Sequence, residues 1–213
     1  MDFAYNDEQK DIIKVVRDLV QKEIVPYAAE MDETGKLHEG LLDKLAAQGL
    51  LGVAIPEEFG GAGLDAITIA GVYEELAKGC GGVATTVAAN ALASYPVILA
   101  GNDDQKKRYF DVINEDNLAA FALTEPGTGS DAGSVSTRAT KTEDGKGYLL
   151  NGTKCFITNG GLAEIFVVFA NTRKTGGIRG LTPFIVRKGT PALQSAKKKI
   201  NGHPCIQHDG THF

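Results

Sequence analysis

The sequence predicts an α+β chain in two parts: an all-α helical domain over residues 1–117, then a β-barrel or sandwich-like domain over 118–213. Three observations predict it. Apolar side chains recur at helical spacing as far as about residue 118, and beyond it the pattern becomes short strand-like runs separated by glycine-rich turns. Apolar content of 43% and charged content of 23% in 213 residues match a globular protein able to bury a sizeable core.

The first helix starts at Asn6, whose pairing with Gln9 three positions later has capping-box character. Ile12, Ile13, Val16, Leu19 and Val20 give it an apolar face, and Pro26 ends it or begins the next helix. His38 to Gln48 is amphipathic through Leu41, Leu42 and Leu45, with Gly49 as its C-terminal cap. LLGVAIPEEFGGAGL then reads as an extended segment running into a glycine-rich loop. Helices follow over Asp65–Lys78, Val83–Leu99 and Asp103–Asn114, with Gly79–Gly82 as a breaker. Strands are expected at 118–124, 147–158, 164–170 and 181–187, parted by DGKG, NGG and KTGG turns.

Several functions are disfavoured. Neither GGAGL at 60–64 nor GCGG at 79–82 is a GxGxxG opening a helix after a strand, and neither carries a P-loop lysine and hydroxyl. A nicotinamide dinucleotide fold is therefore unsupported. A net charge of −5 gives no reason to expect nucleic acid. Three widely spaced cysteines, Cys80, Cys155 and Cys205, suggest no disulfide framework and fit the cytoplasm. The N-terminus is too polar for a secretory leader. Gly82–Gly101, rich in small and polar residues, reads as a buried helix and not a membrane span.

Two stretches carry chemistry. FALTEPGTGSD (121–131) and CFITNGG (155–161) each begin as an apolar strand and break into polar and glycine-rich residues. Gly127 and Gly129 permit positive φ and close backbone approach, Thr124, Thr128 and Ser130 supply hydroxyls, and Asn159-Gly160 is a tight-turn dipeptide. Glu125 and Asp131 read as cap or turn residues.

In order and spacing the pair resembles the flavin-binding signature of the acyl-CoA dehydrogenase family, nearest to its short-chain, butyryl-CoA dehydrogenase type. The resemblance covers residues 1 to about 195 and implies FAD as cofactor, with an N-terminal helical domain that helps wall the acyl pocket. It places Phe121, Leu123, Thr124, Gly129, Ser130, Phe156, Ile157 and Thr158 at the flavin. Leu123 and Thr124 would lie against the pyrimidine end of the ring, Gly129 and Ser130 near phosphate, and Thr158 near flavin N5. Ser130 is also a candidate contact to acyl-CoA. Phe156 stands where the family usually has tryptophan, which keeps an aromatic wall but loses an indole N–H.

The implied activity is α,β-dehydrogenation of a short-chain acyl-CoA, with electrons passed to an electron-transferring flavoprotein. In the resembled enzymes a C-terminal helical bundle supplies the glutamate base, an arginine at the cofactor and most of the tetramer interface. That bundle is expected to be absent from a chain that stops at Phe213, so no catalytic acid or base is named. Exposed apolar surface would then favour self-association. Two readings stay open: the flavin-binding portion of a dehydrogenase, or a non-catalytic remnant that keeps flavin or acyl-CoA affinity. The tail, with His203, Cys205, His208 and His212, fits no defensible zinc motif and is expected to be disordered and to bind no metal; zinc or copper binding is the minor alternative.

Overall fold

The computed structural model describes residues 4–173, 176–191, 193–197 and 208–212. They fall into two compact units that divide between Asn117 and Leu118. The first is helical and the second is built of sheet, the α+β order expected.

In the helical unit, α1 (Asp7–Leu19) starts at the expected capping box: Asn6 accepts from the Gln9 N–H while the Gln9 side chain accepts from the Asn6 N–H. Gln9 also donates to Asp65, the N-cap of α4 (Ala66–Gly79), so the two helix starts are tied together. Ile13 and Val16 are buried, and Val20 and Ile24 carry the same face through a widened π turn at Val20–Ile24. Pro26 neither ends the helical run nor starts α2 (Ala28–Thr34). It sits in a 3₁₀ turn between them, where its missing N–H is not needed. Arg17 on α1 donates to the buried Glu75 on α4 at 2.8 and 3.1 Å, which pairs those helices.

The third helix, α3, is shorter than expected (Leu41–Ala47) and is followed by Gly49 in the left-handed region. Residues 50–59 are not extended. They form 3₁₀ turns at Leu50–Gly52 and Glu57–Phe59, the second closed by a left-handed Gly60. Gly61 lies so close to Ile55 that a Cβ there would sit 2.2 Å from the Ile55 carbonyl oxygen. GCGG breaks the helix only at Cys80, and α5 (Gly81–Ala100) begins immediately after it. By length and composition α5 could cross a membrane, yet eleven of its residues are buried. They include Asn90, whose amide donates to the Leu51 and Asn117 carbonyls. Leu92, Tyr95 and Leu99 form an exposed stripe along α5. The last helix, α6 (Asp103–Asn114), has its own Asn102–Gln105 capping box.

The sheet unit holds β1 (Ala119–Ala122), β2 (Arg138–Lys141), β3 (Tyr148–Asn151), β4 (Thr153–Thr158), β5 (Ile165–Asn171), β6 (Leu181–Arg187), β7 (Gln194–Lys197) and β8 (His208–His212). The expected 147–158 strand is two strands parted at Gly152, and β2, β7 and β8 were not expected. The centre of the larger sheet is β5. It runs parallel to β1 over Ile165–Val168 and antiparallel to β6 throughout, and it meets β2 at Asn171. Its sequence, IFVVFAN, is a near-continuous apolar run because both faces are covered. The smaller sheet has the order β4-β8-β7, all antiparallel. The tail is therefore not disordered throughout, since His208–His212 pairs with both β4 and β7. His203, Cys205 and the side chains of His208 and His212 lie outside the described residues, and the metal question with them.

Candidate flavin-binding face

The two glycine-rich stretches are physically joined. After Ala122 the chain leaves β5 and its next two carbonyls are taken up from β4: Lys154 Nζ donates to Leu123 O at 2.9 Å, and the Cys155 N–H donates to Thr124 O at 2.9 Å. Glu125 and Thr128 then exchange backbone hydrogen bonds of 3.0 Å around a tight Pro126-Gly127 corner. Neither Gly127 nor Gly129 has positive φ, contrary to expectation; Pro126 sets the corner, and it needs no left-handed residue. A Cβ at either glycine would meet no atom within 4 Å, so both face open space.

Instead, two non-glycine residues occupy the left-handed region here: Phe156 (φ 58°) and Asn159 (φ 64°). A register shift between Lys154 and Ile157 marks a bulge in β4. Strict alternation would send Lys154, Phe156 and Thr158 to one face. The bulge breaks that pattern, burying Lys154 and Ile157 together and leaving Phe156 60% exposed. Asn159 is buried, and its amide donates to Ala119 O at 3.1 Å, anchoring the NGG turn to β1.

Beneath this surface lies a buried ion pair, Glu125 (3% exposed) and Lys154 (0%), at 2.8 Å. The carboxylate also accepts from the N–H and hydroxyl of both Ser136 and Thr137. Burial alone would raise its pKa, but the donors from Lys154, Ser136 and Thr137 outweigh it and hold the carboxyl at about 2. Burial draws the Lys154 pKa below the usual lysine value, against the pull of Glu125. Glu125 is thus neither a simple turn residue nor an available base. Sequence reading missed both members of the pair. Their one signal is a lysine and a glutamate inside apolar strand ends, and that pattern equally fits exposed positions. Asp131 does serve a turn: its carbonyl accepts the Ser134 N–H at 3.0 Å and its carboxylate accepts the Ser134 hydroxyl.

Of the residues expected at a cofactor, Leu123 and Thr124 are joined to β4 directly, and Phe156 and Thr158 stand on β4 itself. The Ile157 side chain is buried, so only its backbone faces outward. Phe121 packs against Phe169 of β5 with ring centroids 4.9 Å apart. Among the described residues the hydroxyls of Thr124, Ser130 and Thr158 have no hydrogen-bond partner, whereas the Thr128 hydroxyl is committed to Ser134 O. Open hydroxyls, open glycines and an outward aromatic ring fit a flat, polar-edged ligand.

Residues 6–115 match the model for the acyl-CoA dehydrogenase N-terminal domain, and residues 120–209 match that for the middle domain. The chain belongs to the acyl-CoA dehydrogenase family. The short-chain-specific acyl-CoA dehydrogenase of Megasphaera elsdenii is 40% identical over 204 residues, covering 93% of this chain and 53% of that protein. A chain in the structure described as the electron transferring flavoprotein of Acidaminococcus fermentans is 35% identical with a TM-score of 0.93, covering 100% of this chain and 56% of that one. The acyl-CoA dehydrogenase of Bacillus anthracis complexed with FAD is 34% identical with a TM-score of 0.86, covering 98% of this chain and 36% of that one. The chain spans about half the length of the curated relatives it matches.

Proposed function

We propose that residues 118–213 form the flavin-binding middle domain of an acyl-CoA dehydrogenase and residues 1–117 its N-terminal helical domain. The observation that carries this is the junction of the two stretches through Cys155 N–H to Thr124 O and Lys154 to Leu123 O, which makes one surface of them. FAD, when bound, supplies the hydride acceptor for α,β-dehydrogenation of an acyl-CoA thioester. Thr124 and Thr158 offer hydroxyls to the edge of the ring, Phe156 walls one side, and Gly129 and Ser130 leave room for phosphate. Ser130 also offers a hydroxyl to acyl-CoA. Residues Phe121, Leu123 and Ile157 complete the set through packing and backbone.

The Megasphaera relative supports a short-chain acyl-CoA as substrate, and the Acidaminococcus structure supports an electron-transferring flavoprotein as acceptor. None of the glutamates is assigned as the α-proton base. Glu125, with its depressed pKa and its crowd of donors, is unsuited to that work. A cytoplasmic location is part of the same reading, supported by three widely spaced cysteines, as is association of copies through apolar side chains such as Leu92, Tyr95 and Leu99, which are exposed on α5.

The reading is tested by titrating the purified chain with FAD and following flavin fluorescence. Saturable binding is expected, and Thr158→Val should weaken it by about 5-fold, the loss of one ordinary hydrogen bond of about 1 kcal/mol. An affinity equal for parent and variant would remove Thr158 from the site, and no binding by the parent would overturn the reading.

A further inference from the structure

We propose that Lys154, anchored by Glu125, is a positioning residue that aims the Thr124 N–H out of the protein toward the ligand. This rests on the flavin-face reading above, and its new element is Lys154 and Glu125, to which the family resemblance assigns no role at the flavin. In a trans peptide the carbonyl of one residue and the N–H of the next point in opposite directions, and the structure has no cis peptide among the described residues. Lys154 is wholly buried and holds the Leu123 carbonyl at 2.9 Å from within. The Thr124 N–H therefore points away from the core, and no backbone or side-chain acceptor among the described residues takes it. Thr124 thus presents two free donors side by side, its N–H and its hydroxyl. A carbonyl or ring nitrogen at the polar edge of a flavin is the acceptor class they fit.

An apolar residue at 154 could fill the same volume but has no donor for the Leu123 carbonyl. The ammonium must itself be kept ionised and oriented in a dry site, and Glu125 does that. Four further donors from Ser136 and Thr137 keep the carboxylate fixed in turn. Lys154 also precedes the bulge that turns Phe156 outward, so one side chain sets the peptide on the first stretch and marks where the second departs from its ladder.

The test is the paired variant Glu125→Gln with Lys154→Met, which removes both charges and avoids a lone buried ion. Two readouts are taken on the full chain, amide hydrogen exchange without ligand and titration with FAD. Exchange of the Cys155 amide is expected to quicken at least about 10-fold while the β5 amides of Val167 and Val168 keep their protection, since local opening leaves the core strand intact. FAD should bind at least about 10-fold more weakly, with the visible bands of the bound flavin displaced from the parent's. Parent-like exchange at Cys155 together with parent-like FAD affinity and spectrum would overturn the proposal. If the parent itself binds no FAD, the flavin-face reading fails, and the exchange arm alone decides the positioning claim: quickening confined to this joint supports it and unchanged exchange overturns it. Should the paired variant not fold, Lys154→Gln, too short to reach Leu123 O, is expected to show the same local quickening, and its absence there overturns the proposal.

Discussion

Phe156 holds a left-handed backbone conformation with most of its surface exposed, a combination that costs about 1–3 kcal/mol of strain and contributes little to core packing. Phe156→Gly should therefore leave the thermal midpoint unchanged or higher while weakening flavin binding; a clear fall in the midpoint would show that the ring packs in the ligand-free protein. Lys154 behaves in the opposite way. Lys154→Met alone strands a buried carboxylate and should cost about 3–5 kcal/mol by denaturant unfolding. Gly152→Ala would set a Cβ 2.2 Å from the Thr137 hydroxyl, one of the donors to Glu125, and should destabilise by about 1–3 kcal/mol. The hydroxyls of Thr124, Ser130 and Thr158, which have no partner among the described residues, stand on stretches whose composition already singled them out. The ion pair was not legible, because a lysine between Thr153 and Cys155 reads as outward-facing until a bulge changes the alternation. No residue type announces that bulge, and Phe is a poor sequence signal for positive φ.

Helix ends with side-chain caps were the most legible elements. Asn6 with Gln9 forms the reciprocal box its spacing implies, because that geometry depends only on local chain, and the structure adds a second such box, not read from the sequence, at Asn102 with Gln105. Asn102→Ala should cost about 1 kcal/mol in thermal or denaturant unfolding, with the loss confined to the α6 start in hydrogen exchange. Elements set by distant contacts were less legible. Residues 50–59 look extended by composition, but left-handed Gly49 and Gly60 and the close approach of Gly61 to Ile55 coil them into 3₁₀ turns. Strand β2, RATK, buries only Ala139 and gains its strand character from pairing with β3 and with Asn171 of β5. A partner outside the window is invisible to periodicity.

At the scale of the whole molecule, three carboxylates bear on acid stability. Asp65 is held at about 2 by the Thr68 hydroxyl and N–H and by Gln9, Glu75 at about 2 by Arg17 and then Lys78, and Glu125 at about 2 by Lys154, Ser136 and Thr137 against its burial. Each pKa is lowered on folding, so the folded state binds fewer protons. Their stabilisation is fully present above the unfolded values of about 4 and is lost as pH falls toward about 2. The thermal midpoint should hold steady from about pH 7 to 5 and fall steeply below about 4, and a midpoint that rose on acidification would contradict these assignments. The α+β order was legible from the change of apolar periodicity near residue 118, and the family from two stretches that keep their order and spacing and most of their residues. The joint that turns those stretches into one surface needed coordinates. The most direct measurement is the visible absorption spectrum of the 213-residue chain after adding FAD and removing the excess. A perturbed flavin spectrum at about one flavin per chain is the predicted result. A colourless protein, with all the flavin in the discarded fraction, would contradict the account.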